Sequence, residues 1–133
     1  MDMITFETKA QDLHTNTVRK YVSLALDWCE INLGYHPFKR YRPHFSVHSK
    51  GPEFFMGRYI PWLDKIEIFK NEHETLEGII KTTIHEYTHH TQNMFEYKIL
   101  LNQVGYSSIP LEIEARENEK RWSECWRYII TRL

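Results

Sequence analysis

Two histidines four residues apart, His85 and His89, with Glu86 between them, constrain this chain more than any other feature. Residues at that spacing share one face of an α-helix, so both imidazoles can reach a single metal ion. The pattern therefore asks for a helix with two opposed faces, and the flanking sequence supplies one. Leu76, Ile79, Ile80, Thr83, Ile84, Tyr87 and Met94 recur at helical spacing and form an apolar stripe. At ~100° per residue the two histidines fall opposite that stripe. One face is expected to lie on a core and the other to offer its imidazoles to a cleft. The expected helix runs from about Glu72 to Phe95, with Asn71 and Glu74 forming a capping box at its start.

Three protein ligands with one open position make a catalytic zinc site, so a third ligand is needed. No histidine follows His90 and no aspartate follows Asp64. Gln92 and Phe95 stand where the longer metzincin pattern requires glycine and histidine, which excludes that class. The ligand must then be a glutamate, with Cys125 a weaker alternative. Glu112, Glu114, Glu117 and Glu119 cluster at the start of a second helical segment, Ile109 to about Arg132. Glu112 has Arg116 at i+4, Glu117 has Arg121 at i+4 and Glu119 has Arg116 at i−3, ordinary helical pairings. Glu114 has no cation at helical spacing, and a metal ion would supply one. Glu112 and Glu114 flank the stripe of Leu111, Ala115, Trp122, Trp126 and Ile129 at similar angles. Glu114 is the expected ligand, and Glu112 stays open as its rival.

The segment Thr82 to His89 resembles the active-site helix of gluzincins, zinc peptidases with two helical histidines and a glutamate from a following helix. Pro110-Leu111-Glu112-Ile113-Glu114-Ala115 is similar to the P-x-E-x-E-A segment of small members, such as SprT-type domains and the repressor-cleaving peptidases of mobile elements and phages. The resemblance spans about Phe54 to Trp126 and implies a zinc-dependent peptidase held by His85, His89 and Glu114. Glu86 would be the general base. It also implies that Asn118 stands where a group orienting a histidine would, and that an extended peptide lies along a sheet edge. Gly57 to Tyr59 or Ile66 to Phe69 could form that edge. His90 and Asn118 depart from the usual residues, and nothing matches the zinc ribbon that SprT-type proteins often carry.

The fold expected is α+β, a minimal zincin. It comprises an N-terminal helix (Thr17 to Leu33, ended by Gly34), a small and mostly antiparallel sheet of about three strands, the active-site helix and a C-terminal ligand helix. Strands are expected around Phe45 to His48, over Phe54 to Ile60 and over Lys65 to Phe69, the last two joined by a turn at Pro61 to Asp64. The 133 residues suit one domain, and hydrophobic and aromatic contents of 41% and 14% suit a packed core. The formal charge of −1 gives no general attraction to nucleic acid or acidic membranes. Cys29 and Cys125, on separate helices, suggest neither a disulfide framework nor a cysteine zinc site.

No signal peptide and no apolar run of membrane length are seen. The expectation is a cytoplasmic monomer acting on a protein or peptide substrate. The alternatives are a non-hydrolytic zinc-binding adaptor or regulator of the same fold, and a DNA-associated SprT-type protease using Lys39, Arg40 and Arg42. Tyr97, Tyr106 and Arg116 are candidates for stabilising an oxyanion. His90 reads as packed, and His14, His36, His44, His48 and His73 as superficial.

Overall fold

The computed structural model describes residues 3–36, 41–52, 55–92, 102–103 and 110–133. Helix α1 (Thr15–Leu33) is followed by strands β1 (His44–His48), β2 (Gly57–Ile60) and β3 (Lys65–Phe69). Helices α2 (Leu76–Thr91), α3 (Pro110–Glu119) and α4 (Trp122–Ile130) come next, and short 3₁₀ turns lie at Ala10–Asp12, Pro61–Leu63 and Lys70–Glu72. The architecture is α+β, as the patterning requires. The core forms where Val22, Ala25, Leu26 and Cys29 of α1 meet Ile79, Ile80 and Ile84 of α2, Ile66 and Ile68 of β3, and Cys125 and Ile129 of α4. Each isoleucine buried there contributes ~1.5–3 kcal/mol relative to an exposed one.

The sheet is mixed rather than mostly antiparallel. Its order is β1-β3-β2. β1 runs parallel to β3, with Phe45 opposite Ile66 and Val47 opposite Ile68. β2 runs antiparallel to β3, with Gly57 opposite Ile68 and Tyr59 opposite Ile66. β3 is central, so of the two edges considered for a bound peptide only β2 is one. A short 3₁₀ turn at Pro61–Leu63 joins β2 to β3, and Asp64 closes it in the left-handed region at φ 46°. Asp64 Oδ1 accepts from the Tyr59 hydroxyl at 2.6 Å and lies 2.6 Å from His90 Nδ1, tying the hairpin to the end of α2. His90 is fully buried, the packed role expected for it.

The start of α2 differs from the expected capping box. Asn71 and Glu72 lie in a 3₁₀ turn, the helix begins at Leu76, and Thr75 makes no side-chain cap. Main-chain carbonyls from the N-terminal segment do the capping: Leu76 N donates to Thr8 O at 3.0 Å and Glu77 N to Phe6 O at 2.9 Å. Donors left open in a first helical turn are thus satisfied by a distant stretch of chain. The C-terminal helix is also broken. Lys120 N and Arg121 N turn back to Glu117 O and Asn118 O, ending α3 before α4 begins. His73 is buried, not superficial; its Nε2 lies 2.9 Å from Met56 O.

Candidate metal centre

α2 carries the histidine pair as its periodicity requires, with Ile79, Ile80, Ile84 and Tyr87 in the core. The two rings meet edge to face with centroids 5.0 Å apart. His85, Glu86 and His89 each bring a donor atom within 4.8 Å of the others. α3 then lays a carboxylate across the pair. Glu112 Oε1 lies 2.8 Å from His85 Nε2, and Glu112 Oε2 lies 3.0 Å from His89 Nε2. Glu112 is 1% exposed, so this is a buried contact.

Two imidazole nitrogens and a carboxylate are a donor set that zinc takes readily. The separations of 2.8 and 3.0 Å are hydrogen-bond distances, so the carboxylate would draw back slightly to admit an ion between itself and the two rings. The residues present fit the ion. Glu86 strengthens the fit: its Oε2 is buried and has no hydrogen-bond partner among the described residues.

The second nitrogen of each ring is also engaged, as oriented metal-binding histidines require. His85 Nδ1 lies 3.3 Å from Glu119 Oε2. His89 Nδ1 lies 2.7 Å from Gln92 Oε1. Asn118, expected to orient a histidine, instead donates to Thr88 Oγ1 at 3.0 Å.

Electrostatics follow from this packing. Burial opposes a charge on His85, but the carboxylates of Glu112 and Glu119 outweigh it and push the imidazole up to about 10. Burial likewise opposes charge on His89, and Glu112 again raises it on balance. Burial lifts the Glu86 carboxyl above its ordinary range, although His89 and His85 pull the other way. A carboxyl raised in this manner is a better proton acceptor than a solvated one. Glu86 and His85 open onto a cleft of about 360 Å³ that Gly57, Glu112, Arg116 and Glu119 also line.

The expected ligand Glu114 is not brought to the histidines in any described contact. It is exposed, and its Oε1 accepts from Gln92 Nε2 at 3.0 Å. It lines a separate hollow with Asn32, Tyr35, Asn118 and Arg121. Glu112 occupies the place assigned to it. Counting only cations on its own helix left Glu114 looking unpartnered, whereas its partner is an amide on α2. Glu112 was the rival left open, whereas Glu119 and Gln92 are the residues that sequence reasoning missed; Ala115, fully buried three residues after Glu112 and four before Glu119, marks the face those two glutamates share.

Of the candidates for stabilising an oxyanion, Arg116 lines the cleft, while Tyr97 and Tyr106 lie outside the described residues. Lys39 and Arg40 do too, and Arg42 is engaged by Asp27 and by Glu30, the latter at 2.6 Å. Cys29 and Cys125 are free and buried. No helix among the described residues is long and apolar enough to cross a membrane. No family model matches this chain, and no curated protein and no solved structure is significantly similar to it.

Proposed function

We propose that the protein is a zinc-dependent peptidase of gluzincin type, with His85, His89 and Glu112 holding the ion and Glu86 as general base. The observation that carries this reading is the convergence of two imidazole Nε2 atoms on one buried carboxylate, with a second carboxyl beside them that is buried and raised. When bound, zinc would lower the pKa of water and polarise the scissile carbonyl. Glu86 would take the proton from the attacking water and deliver it to the departing amine, the role its burial suits. Arg116, on the same cleft, supplies a cation toward charge developing on the carbonyl oxygen. Among the described residues β2 is an edge strand, and it offers that edge beside the cleft to an extended peptide, with Gly57 at its rim. Two buried free thiols suit a reducing, cytoplasmic setting.

The test combines metal uptake with cleavage. Wild type is expected to take up one zinc ion, and His89→Ala and Glu112→Gln to lose it; Glu114→Gln should retain it. Glu86→Gln should keep the ion and lose ~10²–10⁴-fold in cleavage of a peptide library. Zinc uptake without cleavage of any peptide would favour an adaptor, whereas stoichiometric zinc in Glu112→Gln would overturn the ligand set.

A further inference from the structure

Gln92, which ends α2, is held in one orientation. Its side-chain nitrogen donates to Leu111 O at 2.8 Å and to Glu114 Oε1 at 3.0 Å. A main-chain carbonyl can only accept, so turning the amide over would set oxygen against oxygen. Its Oε1 therefore faces His89 Nδ1, 2.7 Å away. An amide oxygen also only accepts, so Nδ1 must carry the hydrogen of that bond. The remaining nitrogen, Nε2, is the one turned toward Glu112.

We propose that Gln92 is a positioning residue that fixes the ring plane and tautomer of His89, so that Nε2 presents its lone pair to a divalent cation. The inference rests on the metal-site reading above. The chemistry of the position explains the residue type. A group there must accept from an imidazole on one side and donate to a carbonyl on the other, and it is only 8% exposed. A carboxylate could do the first but would stand against Leu111 O and Glu114. A neutral amide does both without adding charge. His85, on the more open side of the pair, uses the carboxylate of Glu119 instead. Glu114 steadies the amide from an exposed position, and the Leu111 carbonyl would hold it in place without that help.

Zinc affinity by chelator competition, with ¹H–¹⁵N NMR of the zinc-loaded protein, tests this. In wild type, His89 should show a slowly exchanging, downfield Nδ1–H and no hydrogen on Nε2. Gln92→Leu and Gln92→Met should bind zinc ~10–100-fold more weakly and lose that signal. Glu114→Gln should stay within about threefold of wild type and keep it, because an amide oxygen still accepts from Gln92. Wild-type affinity in a folded Gln92 variant, or zinc on Nδ1 of wild-type His89, overturns the inference and leaves the metal site standing. A wild type that takes up no zinc overturns both.

Discussion

Gly57→Ala measures how closely the edge strand is set against the helix that carries the histidines. Gly57 opens β2, and a Cβ built there would stand 2.6 Å from Thr82 Cγ2 and 2.9 Å from Glu67 O. Carbon atoms in contact prefer ~3.5–4.0 Å, so β2 and α2 would have to part by roughly 1 Å on the Thr82 side. Overpacking of that size costs ~1–3 kcal/mol. The reduced freedom of the unfolded chain returns ~0.4–1 kcal/mol. The net expectation is a loss of about 1–2 kcal/mol in urea unfolding at unchanged slope. Thr82→Ser removes Cγ2 and should recover part of that loss, but not all, since the Glu67 carbonyl belongs to the sheet and cannot swing away. The coupling in a double-mutant cycle should be about 0.5–1.5 kcal/mol and favourable. Strict additivity of the two substitutions, or a neutral Gly57→Ala, would refute the close approach of strand to helix.

Three further outcomes follow from other parts of the fold. Gly34 caps α1 at φ 74° and ψ −154°, with nothing within 4 Å of an added Cβ, so the cost of Gly34→Ala is backbone strain alone. Such conformations cost ~1–3 kcal/mol for other residues, and a thermal melt checks it. Burial holds the His73 imidazole below its ordinary 6.5, although Met56 O and Glu72 pull it upward. The unfolded chain then binds the proton first, so stability is full above pH 6.5 and falls as pH drops toward the folded value. Between pH 7.5 and 5, urea midpoints of wild type should fall more than those of His73→Gln, and parallel curves would exclude this cause. Burial pushes the thiol of Cys29 well up and that of Cys125 up to about 12. A disulfide reagent at pH 8 should therefore find neither thiol in the native protein and both in urea.

Much of the architecture was legible because it follows from local period and punctuation. The apolar stripe of α2 predicted its buried face, and the strand expected over Lys65 to Phe69 matches β3 to the residue. Gly34 stopped α1 through a conformation few residues other than glycine adopt. What could not be read locally was set by partners far along the chain. Thr8 and Phe6 cap α2, and no pattern around Asn71 could announce them. The parallel pairing of β1 with β3 places β2, the strand between them in sequence, on the far side of β3, which alternation within β1 does not encode.

The carboxylate that meets the histidine pair shows where the boundary lies. A helical wheel gives the faces of α3 relative to one another, but not its roll against α2. Drawn from Leu111 to Ile129, the apolar stripe averages over two helices that are separate rods, and so left Glu112 and Glu114 equivalent. Within α3 alone the only fully buried apolar residue is Ala115, so its side is the one turned inward, and the helix that α3 packs on is α2. Residues three before and four after it, Glu112 and Glu119, must then face the same helix. Glu114, one residue away and so ~100° round the axis, is carried off that face. In a charged helix the small residue, rather than the large ones, marks the side that meets the histidines.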